Sequence, residues 1–145
     1  MDCVYFAEKI KPGIMSHGDN RSGAGEGDDE VIEVDLNGVR PNIAALAFVV
    51  NIYTSGKTFK DVRSSYIRLF DPITKMEFGR FTLDNACKAQ GVIFCIVYRG
   101  KNGEPWNILT TGTNCDGNTC KSVRCSLWDG SLDSPSGGDG CCSIS

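Results

Sequence analysis

Short apolar runs separated by turn residues constrain this chain more than any other feature of its sequence. Residues 32–36 alternate apolar and acidic side chains and end at Asn37-Gly38, a pair typical of turns. Residues 47–53 are almost wholly apolar and predict a central core strand, and residues 92–98 predict a second buried strand. About seven such strands, spaced by turns, favour an all-β antiparallel β-sandwich over any βαβ arrangement.

The remaining elements follow the same pattern. Further strands are predicted at residues 2–6, 66–70, 77–83 and 106–110, with turns at Lys11-Pro12-Gly13 and Asn102-Gly103. Residues 58–65 are predicted to form one or two helical turns. From residue 112 onward the sequence consists mainly of Gly, Ser, Asp, Asn and Cys. We therefore predict a sandwich domain at residues 1–113 and a flexible Gly/Ser/Cys-rich tail at residues 114–145.

Length and charge exclude several classes of protein. A chain of 145 residues fits one domain. Its net charge of −3 lacks the basic surface that neutralises nucleic-acid phosphates, so nucleic acid is not expected as a partner. The sequence shows no secretory signal and no apolar run of about 18 residues. We therefore expect a soluble, cytoplasmic protein whose eight cysteines are reduced.

The excess negative charge lies in one segment, residues 18–30, which holds five acidic residues, four glycines and one arginine. Calcium takes about six to eight oxygen ligands from carboxylates, amide side chains and backbone carbonyls, and glycines let carbonyls turn inward. Without a cation the carboxylates repel one another, so loop order and ion binding are expected to be coupled. The same composition is equally compatible with a solvated acidic turn that binds no metal.

Two familiar ligand loops do not fit this segment. Asp19 and Glu30 have the separation of the first and twelfth EF-hand positions, but Arg21 replaces an oxygen ligand and Ala24 replaces the turn glycine. The glycine spacing is G-x-G-x-G rather than the dinucleotide-binding G-x-G-x-x-G, and the acidic side chains would repel a pyrophosphate. Neither an EF-hand nor a dinucleotide site is therefore predicted.

Several short motifs, together with the acidic segment, resemble those of a known protein family. They are residues 18–36, Asn51-Ile52-Tyr53, Thr58-Phe59, Val62, Ser65-Tyr66-Ile67-Arg68, Arg80-Phe81-Thr82-Leu83 and residues 103–106. Together they resemble the TerD family of tellurium-resistance and stress-response proteins over residues 1 to about 112. The resemblance implies a calcium-binding β-sandwich that acts in a chemical-stress response, without established catalysis.

The resemblance also implies a set of calcium ligands and a partly open sheet. The ligands carried over from the acidic motif are Asp19, Asn20, Glu26, Asp28 and Asp29. Family members usually begin with further strands that bear a D-x-D element, and this chain is expected to start after them. The sandwich would then be incomplete at its N-terminus and would expose a sheet edge for self-association or for a protein partner.

The cysteines and the single histidine suggest further chemistry. Cys115, Cys120 and Cys125, with Cys141 or Cys142, approach the composition of a four-thiolate zinc site, but their spacing is not the usual paired one. Cys87 and Cys95 are expected to be buried core residues. His17 is the only histidine and is expected to be exposed, so no histidine-based catalytic triad can form.

The last four residues suggest a lipid anchor. Cys142-Ser143-Ile144-Ser145 fits the C-a-a-X prenylation pattern, in which a terminal serine favours farnesylation, and Cys141 is placed to take a palmitoyl group. Two lipids would be needed for stable membrane attachment.

Three functions are therefore carried forward. The first is a calcium-binding stress-response adaptor that is not an enzyme. The second is a membrane-tethered scaffold or interaction protein that has lost metal binding. The third is a small nucleotide-binding protein, because the TerD family includes slime-mould proteins described as binding cAMP.

Overall fold

The computed structural model describes residues 3–19, 28, 30–62, 66–83, 88–101 and 104–115. The chain divides into two compact units, the first ending at Ala44 and the second beginning at Ala45. Eight strands pair in an antiparallel sense, and the described residues include one short 3₁₀ helix but no α-helix. The all-β antiparallel fold expected from the sequence is confirmed.

The first unit is a three-stranded sheet in the order β1-β2-β3, with β1 at Ile10–Lys11, β2 at Ile14–Asp19 and β3 at Glu30–Val34. The turn between β1 and β2 requires a glycine. Gly13 has φ +75°, and a Cβ built on it would lie 2.4 Å from the backbone nitrogen of Val39. The predicted turn at Lys11-Pro12-Gly13 is therefore confirmed, with Gly13 as the residue that permits it.

The second unit contains two sheets and the 3₁₀ helix at Phe59–Asp61. One sheet has the order β4-β7-β8, with β4 at Ala45–Asn51, β7 at Gly91–Arg99 and β8 at Trp106–Cys115. The other pairs β5, Tyr66–Phe70, with β6, Glu77–Thr82. The predicted strands at residues 66–70, 77–83 and 92–98 are thus confirmed within one or two residues.

The core of the second unit joins its two sheets. One cluster contains Phe59, Phe81, Leu83, Val92, Phe94 and Cys95, and its aromatic rings Phe81 and Phe94 lie 6.3 Å apart between β6 and β7. A smaller cluster, on Ile93, Ile96 and Cys115, involves β7 and β8. Residues 91–97 are all buried, because β7 is the middle strand of its sheet and is covered on both faces. The two packed sheets make this unit a β-sandwich.

Three sequence expectations differ from the structure in detail. β4 was expected to be the central core strand, but it is an edge of the three-stranded sheet described here and is mostly half-buried. Cys3 and Val4 lie outside any strand, and Tyr5 forms only an isolated bridge with Glu8. The expected strand at residues 32–36 begins earlier and ends at Val34, because Asp35 accepts a turn hydrogen bond from Gly38.

The predicted C-terminal tail falls mostly outside the described residues. Asn114 and Cys115 belong to β8, where Cys115 pairs with Gly91. Residues 116–145 are not described.

Candidate metal site

The acidic segment connects two paired strands of the first unit. β2 and β3 pair Ile14 with Val34 and Ser16 with Ile32, and the register then shifts so that Asp19 pairs with Glu30. The two ends of the segment are therefore brought to opposing positions, with residues 20–29 between them. Asp19 and Glu30 therefore flank the segment for which the sequence predicts a calcium site.

The structure places only part of the proposed ligand set. Asp19 is the last residue of β2, and Asp28 is half-buried two residues before β3. Asn20, Glu26 and Asp29 lie outside the described residues. Among the residues that are described, no group of three His, Cys, Asp or Glu side chains is placed to hold a metal ion. The residue types at this end of the hairpin carry oxygen donors, which suit a hard cation such as calcium.

His17 lies on the same hairpin, two residues before Asp19. Its Nε2 is 2.9 Å from Oε2 of Glu33, and both side chains are about half exposed. The expected exposure of His17 is confirmed. Its contact with Glu33 was not expected from the sequence, because it depends on the pairing register of β2 and β3. An exposed pair of this kind contributes little to stability.

Sequence comparison decides which family the chain represents. The family model of the TerD domain matches residues 1–121. The chain belongs to the TerD family. It is 33% identical over 126 residues to the tellurium resistance protein TerZ of Serratia marcescens, covering 86% of this chain and 63% of that protein. It is 36% identical over 115 residues to the stress response protein SCP2 of Bacillus subtilis, covering 75% of this chain and 57% of that protein.

The length of the match varies among these relatives. The chain spans about three-fifths of TerZ and SCP2. The chemical-damaging agent resistance protein B of Clostridium acetobutylicum is 28% identical over 130 residues, and the match covers 92% of that protein. The names of the relatives thus connect the TerD domain with resistance to tellurium and with chemical stress.

The cysteines of this TerD chain that the structure describes do not form a metal centre. Cys95 is fully buried, as expected, and burial raises the pKa of its thiol to about 12, so it stays protonated and unreactive at neutral pH. Cys115 is buried in an apolar cluster with Ile93 and Ile96. Its place in β8 is that of a core residue, whereas the zinc hypothesis required it in a tail. Cys87, Cys120, Cys125, Cys141 and Cys142 lie outside the described residues.

The described part of this TerD chain contains no helix that is long and apolar enough to cross a membrane.

Proposed function

We propose that the chain is a calcium-binding module of a chemical-stress response of the tellurium-resistance type. The observation that carries the proposal is the β2–β3 hairpin, which sets Asp19 opposite Glu30 at the two ends of the acidic segment. The names of the relatives, which include tellurium resistance and stress response proteins, support the stress context. The donors are carboxylate and amide oxygens, which are the ligands that calcium takes in proteins.

The β2–β3 hairpin holds the two ends of the segment that carries the proposed ligands. Asp19, Asn20, Glu26, Asp28 and Asp29 are the residues proposed to hold the ion. A bound divalent cation supplies positive charge that offsets repulsion among these carboxylates. The chain's own contribution is to fix both ends of the segment through β2 and β3. An adaptor role follows because calcium would then change the surface that the hairpin presents to a partner.

Calorimetric calcium titration of the full chain tests the proposal. We expect a dissociation constant on the order of 10⁻⁵ to 10⁻³ M, within the range of weaker protein calcium sites. Asp28→Asn removes a charge from the proposed ligand set and is expected to weaken binding by about tenfold, since each ligand charge tunes affinity. Asp35→Asn is the matched control, because Asp35 lies in the same unit and is engaged in a turn with Asn37.

Two outcomes of the calcium titration would contradict the proposal or part of it. If millimolar calcium produces neither heat nor a shift of the amide resonances of residues 18–30, the segment is a solvated acidic turn. Equal affinities of wild type and Asp28→Asn would remove Asp28 from the ligand set.

A further inference from the structure

The connection between β5 and β6, together with the first two residues of β6, exposes three large apolar side chains. Ile73 is 90% exposed, Met76 56% and Phe78 47%, and all three lie within six consecutive residues. Isolated exposed apolar side chains are ordinary, but a cluster of them marks an interaction surface. We call residues 71–78 the hairpin tip.

The hairpin tip is held in one conformation by its own hydrogen bonds. The backbone N–H of Ile73 donates to Oδ1 of Asp71 at 2.8 Å, and the Thr74 hydroxyl donates to Oδ2 at 2.8 Å. The N–H of Lys75 donates to the carbonyl of Asp71, and the N–H of Asp71 donates to that of Met76, both at 2.9 Å. Ile73 is therefore presented on an ordered turn, and little conformational entropy is lost when it contacts a partner.

The β5–β6 hairpin carries three basic side chains, Arg68, Lys75 and Arg80. The guanidinium of Arg68 lies 4.6 Å from the centre of the Phe70 ring, and that of Arg80 lies 4.4 Å from the centre of the Tyr66 ring. Lys75 lies in the hairpin tip itself. The two acidic residues of the hairpin are engaged locally. Asp71 accepts the bonds of the turn, and Glu77 accepts two bonds from Arg80 and lies 4.0 Å from Arg68. The charges of Glu77 and its arginine partners therefore offset one another, and Lys75 is the basic residue of the hairpin tip. Residues 45–115 as a whole carry nine basic and five acidic side chains.

This combination of shape and charge selects one kind of partner. Residues 66–82 carry three basic and two acidic side chains, so a second copy docking through the same hairpin would bring net positive charge against net positive charge. An anionic lipid surface accepts both features, since apolar side chains enter the boundary of the acyl region while cations face the phosphates.

We propose that the hairpin tip binds anionic membrane surfaces by inserting Ile73, Met76 and Phe78, with Lys75 facing the lipid phosphates. Only three side chains enter the bilayer, so attachment is reversible. This role is separate from the proposed calcium function. The hairpin tip belongs to the second unit, whereas the proposed calcium ligands all belong to the first.

Co-sedimentation of the full chain with lipid vesicles tests this role. The vesicles contain phosphatidylcholine with about 30 mole per cent phosphatidylserine, or phosphatidylcholine alone. We expect binding to the anionic vesicles in EDTA as well as in calcium, much weaker binding to the neutral ones, and a decrease with added salt. Ile73→Ser should weaken binding about tenfold through the loss of buried apolar surface, and Lys75→Glu should also weaken it.

The matched control is Ile108→Ser, which changes an isoleucine that is 44% exposed on β8. It should bind like the wild type. Equal binding of wild type and Ile73→Ser, or equal binding to both vesicle types, would overturn the proposal. A dimer in light scattering that Ile73→Ser abolishes would also overturn it, because the hairpin tip would then be a contact between copies. Binding seen only with calcium would overturn it too, by assigning the lipid contact to the acidic segment instead.

Discussion

Gly112 shows how one residue decides the packing between the two sheets of the second unit. It has φ +60°, and a Cβ built on it would lie 2.6 Å from Cε2 of Phe81. It lies where the register of β7 and β8 shifts, next to Thr111, whose hydroxyl donates to the carbonyl of Ile93 at 2.8 Å. The missing side chain thus leaves the space that the buried Phe81 ring occupies.

We expect Gly112→Ala to lower the free energy of unfolding by about 2 to 4 kcal/mol, because backbone strain and overpacking against Phe81 add. Gly56→Ala separates these two causes. Gly56 has φ +76°, but a Cβ added to it would meet no atom within 4 Å, so only backbone strain applies, at about 1 kcal/mol. Urea denaturation measures both variants. Equal effects of the two would show that the contact with Phe81 contributes nothing.

At the scale of the elements, local pattern predicted strands better than it predicted their places in a sheet. Residues 47–53 and 92–98 look alike in sequence, since both are apolar and rich in β-branched side chains. Only pairing between distant segments makes β7 the middle strand and β4 an edge. The composition of a strand indicates how well it suits a buried position. Which strand lies next to it depends on pairing between distant segments, and β4 and β7 are about 45 residues apart in the chain.

The candidate sites were predictable to different degrees. Charge and glycine content identified the acidic segment directly. The pairing of Asp19 with Glu30 was not predictable, because it depends on a register shift in the hairpin. The hairpin tip was missed entirely, since Ile73 looks like any other apolar residue until the turn shows it to be exposed.

The turn at Asp71 has a measurable dependence on pH. The pKa of Asp71 is lowered from its ordinary value of 3.8, first by the hydrogen bond from the Ile73 N–H and then by that from the Thr74 hydroxyl. The folded state therefore binds this proton less readily than the unfolded state does. The stabilisation is fully present above the unfolded pKa and is lost as the pH falls from about 5 through the folded value.

We expect Asp71→Asn to make the acid-induced loss of stability shallower, because the variant has no carboxyl group to protonate at this position. Thr74→Val should act in the same direction by removing one of the donors. Thermal unfolding between about pH 5 and pH 2 measures the slopes. A slope in Asp71→Asn that matches the wild type would show that this turn does not contribute to acid sensitivity.

At the scale of the whole molecule, the two units differ in charge and in core. Residues 1–44 carry nine acidic and four basic side chains, the reverse of the balance in residues 45–115. Among the described residues, the buried apolar side chains lie in the second unit, apart from Val39. A unit with so little buried apolar surface opens more readily than one organised around a strand that is buried over residues 91–97.

Hydrogen exchange followed by mass spectrometry should reveal this difference. We expect amides of β2 and β3 to exchange faster than those of β7. Calcium should slow exchange in β2 and β3 and leave exchange in β7 unchanged. An ion bound at the hairpin disfavours only those opening reactions that require the ion to be released. Calcium protection that is equal in both units would contradict this separation.

The double burial of β7 also bears on how such a domain can diverge over evolution. A strand with one solvated face can accept polar substitutions at every second position, but residues 91–97 offer no such position. A substitution of Phe94 on one face requires a compensating change in its neighbour Phe81. A substitution of Ile96 requires a compensating change in the separate cluster on the other face. β7 is therefore the segment in which distant relatives should remain recognisable when the surface hairpins no longer align.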